Sequence, residues 1–174
     1  GSTSRGAVDP RISARFEIND WLKIIHAYGL VHQAPSFVVP IPGLQPATLG
    51  GGLQSAWQAS AGVEMALPWD FNATATVFNN AFFGMTDAIG TAAGRERDPL
   101  GDNRARGRAI GFELFVRRRL SKSLGGYLAY TLSRSTRDMG EGEVLASTDR
   151  THVASAAVAY DLGRRWRFGT KLTF

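Results

Sequence analysis

Along most of this chain apolar and polar residues alternate at period two, the spacing that gives an extended strand one apolar and one polar face. The first run sets Ile12, Ala14, Phe16 and Ile18 against Ser13, Arg15 and Glu17. The second has Leu22, Ile24, His26, Tyr28 and Leu30 on one side and Trp21, Lys23, Ile25, Ala27 and Gly29 on the other; it is apolar on both sides, so its facing stays open. The third opposes Ala59, Ala61, Val63, Met65 and Leu67 to Ser60, Gly62 and Glu64. The fourth, over 72–83, is rich in Thr, Val and Phe, which strands favour, and its facing is open too. In the fifth, Ile110, Phe112, Leu114 and Val116 alternate with Ala109, Gly111, Glu113 and Phe115. The sixth places Leu124, Leu128, Tyr130 and Leu132 outward, with Gly125, Tyr127, Ala129, Thr131 and Ser133 inward. The seventh, 152–162, has Ala154, Ala156, Val158, Tyr160 and Leu162 as its apolar set. The last opposes Trp166, Phe168, Leu172 and Phe174 to Arg165, Arg167, Gly169, Lys171 and Thr173.

The links between these runs go short, long, short, long. Short ones are Asn19-Asp20, Pro68-Trp69-Asp70-Phe71, Ser121-Lys122-Ser123 and Gly163-Arg164; long polar ones cover about 33–54, 84–106 and 134–150. An antiparallel sheet that turns tightly at one end and loops widely at the other is the layout of an outer-membrane β-barrel, with periplasmic turns and extracellular loops. Strands of about ten residues match the ~9–11 that a tilted membrane strand needs. A soluble β-sandwich also alternates, but it does not usually keep strands this long or gather its long loops at one end. Residues 1–174 are therefore expected to form part of one all-β, antiparallel transmembrane β-barrel domain of the bacterial outer membrane, with about eight strands present.

Composition narrows the alternatives. Mean hydropathy is only −0.13, and no stretch approaches the ~18 uninterrupted apolar residues of a membrane helix. A barrel needs no such stretch, since only every second residue faces lipid. The 20 glycines are many for a helical protein and ordinary for barrel strands. Cysteine is absent, which removes a disulfide framework, a thiolate nucleophile and a thiolate metal site. No apolar core follows Gly1 to Gly6, so a signal peptide is not visible and a mature form or an internal piece is expected.

Sidedness bears on completeness. Eight strands can close a small barrel, and the Trp166, Phe168, Leu172, Phe174 series is like an aromatic-ended closing strand. Yet the first and last connections are both short, which would leave both termini outside the cell. The expectation is a segment of a larger barrel; the alternative is a stand-alone eight-stranded barrel with a structural, adhesion or anchoring role.

Five motifs, in order, carry a family resemblance. Tyr28-Gly29-Leu30-Val31-His32-Gln33-Ala34-Pro35 resembles the strand-to-loop signature of TonB-dependent outer-membrane receptors. Gly62, Val63, Glu64, Leu67 and Pro68 resemble that family's Gly-Val-Glu strand, and Asn103 to Glu113 its Asn, Gly-x-x-x-Gly-x-Glu strand. Tyr130-Thr131-Leu132-Ser133-Arg134-Ser135 is similar to its Tyr-Thr-x-Ser-x-Ser strand end, and Asp149-Arg150-Thr151-His152 to the Asp-x-x-His start of the following strand. Nothing resembles the family's plug domain or the box that contacts the energy-coupling protein. The resemblance implies a non-enzymatic receptor and transporter for a siderophore, cofactor or oligosaccharide. Its partners would be the plug domain, the remaining barrel strands and, through the plug, the inner-membrane energy-coupling protein. This chain would supply about a third of a 22-stranded wall with a plugged lumen.

Chemistry adds little by itself. His26, His32 and His152 are widely spaced and lack the partners of a metal site, so ordinary interfacial or loop histidines are expected. No Gly-x-Ser-x-Gly elbow is present, and Gly50-Gly51-Gly52 lacks the lysine of a phosphate loop. No catalytic residue, metal or cofactor is assigned. Asp138, Glu141, Glu143 and Asp149 form an acidic loop without the calcium-loop pattern. The net charge of +5 comes with clustered arginines, and no basic helix or recognised module points to nucleic acid. Arg117, Arg118, Arg119, Arg164, Arg165 and Arg167 lie by short turns, at headgroup level. Arg104, Arg106, Arg108, Arg134, Arg137 and Arg150 lie at the long-loop end, outside the cell; they contact either lipopolysaccharide phosphates, which arginine forks suit, or an anionic ligand. Glu64 and Glu113 are expected to face the lumen, where each meets a plug or a ligand or pairs with a cation on an adjacent strand.

Overall fold

The computed structural model describes residues 6–33, 53–85, 105–121, 123–138, 142–146 and 149–174. Among them there is no helix. The strands are β1 (Arg11–Glu17), β2 (Leu22–Gln33), β3 (Gln54–Leu67), β4 (Phe71–Met85), β5 (Ala105–Ser121), β6 (Leu124–Asp138), β7 (Glu143–Leu145), β8 (His152–Gly163) and β9 (Trp166–Thr173). All belong to one antiparallel sheet in the order β1-β2-β3-β4-β5-β6-β8-β9, with β7 pairing on β6. The neighbours in space are the neighbours in sequence, as in an up-and-down barrel wall. No ladder joins β1 to β9 among the described residues, so the sheet is open at both edges.

The short turns are built against local preference. Trp69 and Asp70 have φ of 60° and 63°, and Arg164 and Arg165 have 51° and 72°. Positive φ at both central residues is the two-residue hairpin geometry whose twist matches that of the flanking strands. At Asn19 the device differs: its side-chain oxygen accepts the N–H groups of Trp21 and Leu22 at 3.1 and 2.8 Å. Arg118 ties β5 to the β3–β4 turn, its Nε donating to the Trp69 carbonyl at 3.1 Å while its guanidinium lies 5.6 Å from the Phe71 ring centroid.

Register settles the facing of every strand, because residues paired across a ladder share a face. One row runs Phe16, Ile24, Val63, Ala75, Leu114, Tyr130, Ala154, and the next Ala14, His26, Ala61, Val77, Phe112, Leu132, His152. The strand left open by its two apolar sides, β2, thus turns Leu22, Ile24, His26, Tyr28 and Leu30 to the common apolar face. On β4 that face takes Ala73, Ala75, Val77 and Asn79. The opposite face carries Glu17, Lys23, Glu64, Thr74, Phe115, Ala129, Ser155 and Thr173 along one row.

Among the described residues only Ala73 and Ala146 are buried apolar side chains, whereas Ile12 at 69%, Val77 at 54% and Leu172 at 71% are among many large ones left exposed. An apolar surface continuous across eight strands, without a core beneath it, suits contact with lipid. Several boundaries differ from the sequence reading: β4 runs on to Met85 and β5 spans Ala105–Ser121, further than the alternation showed. β6 continues to Asp138, and β7 pairs Glu143–Leu145 onto its end, so strand structure extends into 134–150. There the Asp149 carboxylate accepts the Ser135 N–H at 2.6 Å and the Thr151 hydroxyl at 3.2 Å. Backbone pairing beyond the lipid needs no alternation, so the pattern had no signal to give.

Candidate functional site

Two groups of charged residues lie at opposite ends of the sheet. The first is on the polar face near the short turns. Arg15 on β1 reaches across β2 to pair with Glu64 on β3, and Lys23 pairs with Glu17. With Asn72, Thr74 and Arg117, residues Arg15, Lys23 and Glu64 line a concavity of about 410 Å³. Glu113 is on the same face, in register with Thr76 and Thr131. The Arg15 and Glu64 side chains remain 56% and 32% exposed. Ion pairs this open contribute about 0–1 kcal/mol. They do little to hold the sheet; their capacity is to offer both signs of charge, already oriented, to whatever fills the space in front of them.

The second group is at the long-loop end. Arg104 lies outside the described residues. Register divides the other five rather than gathering them. Arg134 pairs with Ile110, and Arg106 and Arg108 are on the same side of β5, so all three are on the apolar face. Arg137 pairs with Gly107 on the polar face. Arg150 is held beside β6 by its carbonyl, which accepts the Ser133 hydroxyl at 3.1 Å. Arg108 is oriented by Asn79, whose side-chain oxygen accepts from Nε at 2.9 Å. Arg106 is opposite Asp138 in the β5–β6 ladder.

The histidines are not brought together. His26 meets the Phe16 ring edge-on, with centroids 6.4 Å apart. Tyr130 and His152 join through hydroxyl and Nδ1 at 2.8 Å. His32 contacts Asp9 through its ring Nδ1 at 2.9 Å and its backbone N–H at 3.0 Å. The His32 side chain, aided by that N–H, holds the Asp9 carboxyl below its usual range. Among the described residues no three His, Cys, Asp or Glu side chains are placed to hold a metal. The sequence reading missed Lys23, Arg117 and Asn79. For Arg117 the signal was available: it shares parity along β5 with Glu113 and so the same face.

The family model described as TonB dependent receptor-like, beta-barrel, matches residues 1–174. The ferric-catecholate import receptor Fiu of E. coli K12, in its closed form, superposes with a TM-score of 0.71 at 14% identity, over 94% of this chain and 24% of Fiu. FpvAI, in its complex with pyocin S2, gives 0.70 at 12% identity, over 98% of this chain and 23% of that one. The chain thus spans about a quarter of the length of these structures. At such identities the likeness is one of fold. No protein of curated function matches in sequence.

Proposed function

The chain belongs to the TonB-dependent receptor family, as part of its β-barrel, and from that premise we propose that it is a wall segment of an outer-membrane receptor for nutrient uptake. The remaining strands of a larger barrel would pair with the open edges of β1 and β9, and the plug would stand against the polar face. The observation that carries this reading is the division of faces: one register-linked apolar surface for lipid, backed by a polar surface bearing Arg15, Lys23, Glu64, Glu113 and Arg117. A lumen filled by water alone gives no reason for oriented pairs of both signs around a concavity; a folded plug with charges of its own does.

The substrate class is a siderophore, cofactor or oligosaccharide, captured by the external loops and admitted when the inner-membrane energy-coupling protein acts on the plug. The barrel wall is a scaffold in this scheme and performs no bond chemistry. The test is uptake by cells lacking the full receptor that carries this chain, across ferric siderophores, porphyrin and corrinoid cofactors and oligosaccharides. Loss of energy-dependent accumulation for one class supports the reading. Unchanged accumulation of all of them would sink it.

A further inference from the structure

On the apolar face there is a depression whose lining residues Asn79 and Ile110 adjoin Arg108 and Arg134. The depression encloses about 430 Å³ and is lined by Tyr28, Ala59, Ala61, Val77, Asn79 and Ile110. It exists because β3 places Ala59 and Ala61 between larger neighbours on β2 and β4. Asn79 belongs both to its lining and to the hydrogen bond that orients Arg108. Arg134 pairs with Ile110, the residue two along from Arg108, so Arg108 and Arg134 are diagonal neighbours on one face. Such positions are about 7–8 Å apart, a span that one phosphate group can bridge between two guanidinium forks.

A cation on the lipid-facing side is costly at mid-membrane and tolerated at the headgroup level. Here both arginines stand above an apolar hollow, at the end that carries the long, extracellular loops. We propose that this surface is a binding site for lipopolysaccharide of the outer leaflet, with a phosphate of its lipid A on Arg108 and Arg134 and an acyl chain in the depression below. Arg137 has no part in it, because it lies on the other face. The inference rests on the membrane-barrel reading of the chain but not on any substrate. It makes the apolar face selective: one headgroup chemistry at one place on a wall otherwise bathed in lipid.

The experiment is native mass spectrometry of the full receptor carrying this chain, purified in detergent and offered bisphosphorylated lipid A, dephosphorylated lipid A or phosphatidylglycerol. The wild type is expected to retain bisphosphorylated lipid A and to lose at least tenfold of that retention in the Arg108→Ala, Arg134→Ala double variant. Ala61→Phe, which fills the hollow and leaves the arginines, is expected to weaken retention too, while Arg164→Ala at the opposite end leaves it unchanged. Equal retention by the double variant, or equal retention of phosphatidylglycerol, would overturn the proposal and leave an ordinary lipid annulus. Folding of each variant is read by heat-shifted electrophoretic mobility. A receptor that stays dispersed without detergent would overturn the barrel reading itself, which separates that failure from failure of the site.

Discussion

Single residues decide close approach and charge in this wall. Gly111 is on the polar face with no room for a side chain: an added Cβ would come within 2.6 Å of both the Leu132 carbonyl oxygen and the Phe78 ring. Gly111→Ala is therefore expected to cost about 1–3 kcal/mol, the usual cost of overpacking, measured by urea unfolding in lipid vesicles. Ala109→Gly, two residues away on that face, serves as the comparison. At the loop end, the pair of Asp9 with His32 makes stability depend on acid. The Asp9 carboxyl is lowered from 3.8 chiefly by the His32 side-chain hydrogen bond. Its contribution is complete above that ordinary value and is lost as pH falls through the lower value of the folded state. Melting followed from pH 6 to pH 2 should show a loss below about pH 4 that Asp9→Asn lacks; parallel curves for the two proteins would contradict it. Parity also explains what sequence could say of the arginines. Arg134 and Arg137 are three apart and so must point oppositely if the strand continues. The polar run after Leu132 hid that continuation, so sequence grouped at one loop end arginines that register divides between two faces.

Among the elements, alternation made strands such as β5 and β9 legible, because Ile110, Phe112, Leu114 and Val116, and Trp166, Phe168, Leu172 and Phe174, fall on positions of one parity. The facing of β2 was not legible, since Ile25, Ala27 and Gly29 are no more polar than Ile24 and Tyr28; it is fixed only by the pairing of Ile24 with Val63 and of Lys23 with Glu64. Strand β7, three residues long, is too short for any period to show. Turns were found by their polarity, but their strain was not foreseen. Arg165, with a φ of 72°, has a conformation that costs a side-chain-bearing residue about 1 kcal/mol or more. Arg165→Gly is expected to raise stability by up to about that amount, read as a higher urea midpoint with unchanged slope. A fall in the midpoint would mean that the arginine's contacts outweigh the backbone strain.

At the scale of the whole chain, the described residues form a sheet without an interior of its own. Its two faces need two environments, and the open edges of β1 and β9 need partner strands. That much followed from the sequence through the rhythm of turns and loops, and the five motifs named the family that the chain-wide match bears out. What remained out of reach was the joining of charges over strands, as when Arg15 crosses β2 to Glu64, since period alone says nothing of register. Facing has an energetic consequence. Val77→Arg places a charge on the lipid side and is expected to cost about 2–4 kcal/mol near mid-membrane. Thr76→Arg, its neighbour on the lumen side, should cost less than half as much. The most direct test labels single cysteines at 112, 113, 114, 115 and 116 of an otherwise cysteine-free receptor in bilayers. Spin labels at Phe112, Leu114 and Val116 should collide mainly with dissolved oxygen, and those at Glu113 and Phe115 mainly with a water-soluble nickel chelate. Collision profiles without that period of two, or with its sense reversed, would contradict a wall that meets lipid on one face and the lumen on the other.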